Sequence, residues 1–115
     1  MILHITTRAQ WTATRTTGTY RGDTLESDGF IHCSKSEQVV DVAESHFQDR
    51  KDLVLLCIDE ERLDAEVRYE DCYDAGETFP HIYGPLNVDA VIKVIDFPPN
   101  PDGSFTLPRD FEEFV

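Results

Sequence analysis

Positive charge is scarce in this chain: ten lysines and arginines stand against 23 aspartates and glutamates, for a formal net charge of -13. A surface of that sign repels a phosphate backbone, and no basic stripe offers affinity through counterion release. General nucleic-acid binding is therefore excluded, and any nucleic-acid role is confined to a pocket. Cysteine is sparse as well. Cys33, Cys57 and Cys72 are odd in number and lack CxxC spacing, which argues against a disulfide framework and a structural zinc site. No apolar stretch approaches the roughly 20 residues of a membrane helix. The opening "MILHITTRAQW" has neither a basic leader nor the apolar run of a signal peptide, so a cytoplasmic protein that meets no membrane is expected. Internal repeats and flexible linkers are missing too.

What is present suffices for one domain. Hydrophobic residues make up 40% of the 115 and charged residues 29%, ordinary for a globular chain and too apolar for a disordered one. A split into two domains would leave each half with too little apolar surface to bury. We expect a domain over 1–97 with a Pro-rich tail, 98–115, packed on it.

"ILHIT" at 2–6 reads as a strand, and Thr7 with Gln10 has capping-box spacing for a short helix carrying Trp11. Residues 16–28 turn to Thr, Gly, Asp and Ser, a loop with Tyr20 as its large anchor. "FIHC" at 30–33 is a short strand. Ser34 and Glu37 form a second capping box, opening the main helix, on which Val39, Ala43, His46 and Phe47 recur at helical spacing. "DLVLLCID" at 52–59 is a strand covered on both faces, with Cys57 a small core hydrophobe. "AEVRYEDCY" at 65–73 is a half-buried strand. "AGETFPHIYGPLNVD", with two prolines and two glycines, is loop, and "AVIKVIDF" at 90–97 is a further buried strand. About five strands to one long helix, without regular alternation, make this an α+β domain.

The chemistry rests on histidines. His46 borders the helix's apolar stripe and reads as a packed or half-exposed core residue. His4 faces away from Leu3 and Ile5 in an extended chain. It is either a strand histidine satisfied by neighbouring backbone or a ring turned into a cleft. His32 shares a strand face with Phe30, while Ile31 and Cys33 face the other way. In "FPHIYGPLN", two prolines stiffen the chain around His81 and Tyr83, and Gly84 allows a turn or close approach by a ligand. Such a loop either plugs a core edge or supplies donors, an acceptor and a ring face to a small-molecule pocket. Arg68 and Glu70 share a strand face, as an exposed pair or as an anion anchor beside a carboxylate. Ser34 is chiefly a helix cap. No HxxxH or HxH spacing supports a metal site, and no local signature supports a Cys33 nucleophile.

"ILHIT", Trp11, Tyr20, "GFIHCS", Gln38, "LVLLCID", "VRYE" and "FPHIYGPLN" followed by "AVIKV" together resemble the bacterial family named domain of unknown function 952, from Ile2 to about Phe97. The resemblance implies an ADP-ribosyltransferase-like fold, a split β-sheet forming a cleft for NAD, nearest the RNA 2′-phosphotransferase branch. It implies that His4 holds the adenosine ribose and that His32 and Ser34 lie at the nicotinamide half. Two departures stand out. There is no ExE or QxE pair ahead of a strand, leaving Glu70 as the carboxylate, and a 2′-phosphate would find Arg68 with Arg8 or Arg15.

From these residues two functions are expected. One is transfer of ADP-ribose from NAD, or a related reaction at a ribose phosphate, with His4, His32 and Glu70 catalytic and His4, Ser34, Arg68, His81 and Tyr83 holding the dinucleotide. The other is a non-catalytic module that binds a nucleotide or phosphorylated metabolite. A third possibility is a structural domain whose cleft is filled by the tail's Phe105, Phe111 and Phe114.

Overall fold

A computed structural model describes residues 1–22, 24–71, 74, 76–109 and 111. Cys72, Tyr73 and Phe114 lie outside the described residues. The elements run β1 (Ile2–Thr7), α1 (Arg8–Thr14), β2 (Thr19–Tyr20), α2 (Leu25–Asp28), β3 (Ile31–His32), α3 (Val39–His46), β4 (Leu53–Ile58), β5 (Glu66–Glu70), β6 (Phe79–Tyr83), β7 (Leu86–Asn87) and β8 (Val91–Asp96), with short 3-10 turns at Glu60–Arg62 and Val88–Ala90. Helix and sheet are mixed, as in an α+β chain.

The strands form two antiparallel three-stranded sheets, β1-β4-β8 and β3-β6-β5, and a small β2-β7 ribbon. The centre of the first sheet is "LVLLCI" of β4, every residue buried. Its side chains alternate between two cores. Val54, Leu56 and Ile58 face Ile31 and Ile82 of the second sheet together with Trp11 and Tyr20. Leu53, Leu55 and Cys57 face Val39 and Ala43 of α3 and the rings of Phe97, Phe105 and Phe111. Burial on both faces is what lets β4 dispense with polar residues altogether.

Besides sharing a core, the sheets pair their backbones at one residue pair among the described residues. Leu3 N–H donates to the Ser34 oxygen at 2.8 Å, and Ser34 N–H returns the bond at 2.7 Å. Elsewhere β1 and β3 share no ladder among the described residues, and the two sheets are separate.

Several local expectations differ from what forms. Thr7 caps α1 as its spacing predicts, accepting from Gln10 N–H at 3.1 Å. Ser34 does not cap α3, because its backbone is committed to Leu3; the helix begins at Val39, after a turn closed by Lys35 N–H to Gln38 Oε1 at 3.0 Å. "FPHIY" is a strand and not a loop. Pro80 has no N–H to donate, but its carbonyl accepts from Cys33 N–H at 3.0 Å, and β3 ends at His32, so little of the ladder is lost. Gly84 serves a close approach within the chain: with φ of +155°, a Cβ there would stand 3.0 Å from the Ala65 Cβ. The segment read as loop at 16–28 holds β2 and the single turn of α2, which ends at left-handed Gly29. The tail does more than cover the surface. Phe105 and Phe111 are buried in the second core, and Phe105 N–H bonds Glu44 Oε2 of α3 at 2.9 Å.

Candidate functional site

A cavity of about 530 Å³ opens where β1 and β3 part, lined by His4, His32 and Ser34 of the expected site. Each is there for a backbone reason. Leu3 turns its peptide groups toward Ser34, and Arg8 N–H turns to Asp52 on the β4 side. By the two-residue period of a strand, the peptide groups of Ile5 therefore face outward along the same edge as those of Leu3, toward the cavity that Ile5 lines.

His4 spans the gap. Its Nδ1 lies 2.6 Å from the His32 carbonyl oxygen and its Nε2 2.7 Å from the Tyr20 hydroxyl. Tyr20, 3% exposed, donates in turn to Thr6 Oγ1 at 2.9 Å, and Thr6 donates to Gln10 Oε1 at 2.8 Å. Both His4 ring nitrogens are thus engaged within the protein, and the ring also meets Tyr20 edge-on with centroids 5.1 Å apart. The sequence marks Tyr20 as a loop anchor and Gln10 as part of the Thr7 capping box, but gives no sign that they and Thr6 meet His4.

His32 Nε2 lies 2.9 Å from Asp28 Oδ2, four residues earlier, and its ring packs against Phe30. The far wall comes from α3 and the segment after it. His46, expected to be packed or half-exposed, is exposed and lines the cavity with Arg50, whose guanidinium is held by Asp52 at 3.0 and 3.2 Å. Gln38 Nε2 reaches Glu77 Oε1 and the Thr78 oxygen, both at 2.8 Å.

The remaining expected residues gather next door, on the outer face of the second sheet. Register places His32 opposite His81 and His81 opposite Arg68. His81 is fully buried under Phe30, with the rings stacked 4.1 Å apart. Its Nδ1–H donates to Glu70 Oε1 at 3.0 Å, and the Tyr83 hydroxyl donates to the same oxygen. Those two donors, Tyr83 foremost, hold the Glu70 carboxyl below its usual range. Arg68 does not pair with Glu70. It bonds Glu66 Oε1 at 2.6 Å and lies over the Tyr83 ring at 4.5 Å. The two groups touch through His32 and His81, whose rings meet edge-on at 5.4 Å. The cavity thus gathers His4, His32 and Ser34, while Arg68, Glu70, His81 and Tyr83 form a separate cluster one ring away.

Cys33 is 4% exposed, and burial pushes its thiol far up, the opposite direction from an activated nucleophile. Burial likewise raises Cys57 to about 11. Among the described residues no three His, Cys, Asp or Glu side chains gather as a metal-ligand set, and no helix is long and apolar enough to cross a membrane.

The model of a family described as "Protein of unknown function (DUF952)" matches residues 5–94. The chain belongs to that family. It is similar to protein CC0527 from Caulobacter crescentus: a crystal structure of that protein is 34% identical over 96% of this chain and 97% of that one, with a TM-score of 0.86. A solution NMR structure of the same protein gives 34% identity, coverage of 95% and 94%, and a TM-score of 0.81. No curated protein matches the chain.

Proposed function

We propose that the split between β1 and β3 is an ADP-ribosyltransferase-like cleft and that it binds a nucleotide of the NAD or ADP-ribose class. The observation that carries this reading is the placement of His4, His32 and Ser34 around one cavity at the point where the sheets diverge. Its volume, about 530 Å³, falls in the range of small-molecule sites, roughly 300 to 1,000 Å³. Its walls combine ring and aliphatic surface from Tyr20, Val42, Phe47 and Phe79 with polar groups. The Ile5 peptide edge offers an adjacent donor and acceptor, the pattern that a nicotinamide carboxamide or an adenine edge complements. A nucleotide needs such a mixture.

Between binding and catalysis, the geometry favours binding. Transfer of ADP-ribose passes through an oxocarbenium-like ribose, and a carboxylate in the cleft would stabilise the developing charge. Glu70, the candidate, is bonded to Tyr83 and His81 and lies outside the cavity lining. The transferase reading, with NAD as substrate or with transfer of a 2′-phosphate, keeps one supporting observation: His81 joins Glu70 to His32 through a ring contact.

The test is isothermal calorimetry with NAD, ADP-ribose and 2′-phosphorylated nucleotides on the natural chain and on His4→Ala and His32→Ala. ADP-ribose is expected to bind at one site, with affinity at least about tenfold weaker in both variants, a loss of about 1.4 kcal/mol. Equal affinity in all three proteins, or no heat with any nucleotide, would sink the reading. Release of nicotinamide from NAD that vanishes in Glu70→Gln would decide for transfer over binding.

A further inference from the structure

Glu70 stays outside the cavity, but two other carboxylates line it, Asp41 of α3 and Glu77 ahead of β6. They differ in how they are held. No hydrogen bond or ion pair fixes Asp41 among the described residues, whereas Glu77 Oε1 accepts from Gln38 Nε2 at 2.8 Å. Gln38 is 5% exposed, and peptide groups on either side of its amide leave it one orientation. The Lys35 N–H only donates, so the amide atom 3.0 Å from it is the oxygen. The Thr78 carbonyl only accepts, so the atom 2.8 Å from it is the nitrogen, whose other N–H goes to Glu77. A buried side chain tied to the turn before α3 and to the approach to β6 thus pins a long, exposed one to the cavity wall.

A carboxylate accepts at two oxygens and donates nothing. Gln38 engages Oε1, and no described residue engages Oε2. Such a group repels an anion, while vicinal hydroxyls complement it. Two O–H donors on adjacent carbons reach a carboxylate together, and a hydrogen bond to a charged acceptor is stronger than one to a neutral acceptor. We infer that Glu77, with Gln38 as its positioning residue, recognises the ribose of a nucleotide by accepting from its vicinal hydroxyls, so that the cavity discriminates ribose from deoxyribose. The nucleotide class rests on the reading above; the pinned carboxylate does not. The phosphates of the same ligand belong away from Asp41 and Glu77, toward Arg50, past the far end of α3.

The test is calorimetry with ADP-ribose and two analogues, each lacking the 2-hydroxyl of one of its sugars. The natural chain is expected to bind ADP-ribose about tenfold more tightly than one of the two. In Glu77→Gln that ratio is expected to fall below about two, and in Asp41→Asn, which removes the same charge from the same wall, to stay at about ten. Gln38→Met, of similar length but without the amide, is expected to bring it to about three. A ratio near one in the natural chain, or one left unchanged by Glu77→Gln, overturns the inference. Equal falls in Glu77→Gln and Asp41→Asn reduce the effect to charge and overturn it too, and a ratio unchanged in Gln38→Met overturns the positioning role. The Gln38 side-chain amide, followed by nitrogen-15 NMR in the full chain, separates this inference from the nucleotide reading. If methyl ribofuranoside moves that signal, its 2-deoxy analogue does not and no nucleotide binds, the nucleotide reading fails and the ribose site stands. If ADP-ribose binds and the ratio ignores Glu77, the ribose site fails and the nucleotide reading stands. No response to either ligand sinks both.

Discussion

The two three-stranded sheets are built from the same antiparallel pairing and put to different uses. β1-β4-β8 has apolar cores on both faces, and its central strand spends all six positions on burial. β3-β6-β5 has an apolar core on one face only. Ile31, Ile82 and Val67 pack inward, and the opposite face carries His32, His81, Arg68, Glu70 and Tyr83. A sheet closed on both sides has no room for polar groups without partners, whereas one with an open face can carry rings and charges whose bonds are made along the surface. In the closed sheet His4 and Thr6 bring polar groups into the edge strand β1, and both are bonded within the protein.

The sharpest way to break this contrast is to empty the closed sheet. Leu55→Ala, at a fully buried site, is expected to cost about 3 to 5 kcal/mol in urea unfolding. Phe105→Ala is expected to cost about 3 kcal/mol, because the tail's ring completes the second core; a change below about 1 kcal/mol would return the tail to a surface strap. On the open sheet the effects depend on pH. Glu70 has its folded carboxyl below the ordinary glutamate value of about 4.5, so its contribution to stability is full above that pH and is lost as pH falls through the lower folded value. Glu70→Gln should therefore flatten the dependence of the urea midpoint on pH in the acid range, and an unchanged slope would refute the role of Tyr83 and His81. The smallest effect belongs to the exposed pair of Arg8 with Asp96. Arg8→Ala should cost well under about 1 kcal/mol and fade with salt.

The closed sheet was legible in the sequence because burial on both faces writes an unbroken apolar run, as in "LVLLCI". The cap at Thr7 was legible because its signal lies within three residues. β6 was not, since two prolines and a glycine speak for a loop, and the partner that makes "FPHIY" a strand lies upstream at Glu66–Glu70, across an intervening loop. Ser34 misled for the same reason: a serine three residues before a glutamate announces a cap, and nothing nearby announces that Leu3 will claim its backbone. At the site, the alternation around His4 left open a ring satisfied by backbone or one turned into a cleft, and the ring does both, bonding the His32 oxygen and lining the cavity. That Tyr20, Thr6 and Gln10 would engage it could not be read locally, because the chain of bonds crosses a turn, a ribbon and a helix.

The paired peptide bonds at Leu3 and Ser34 have the His4 ring beside them, bonded to the His32 oxygen across the same gap. Backbone and side chain stitch one seam. A guest that pried the strands apart there would forfeit three hydrogen bonds, two of peptide groups and one of a ring.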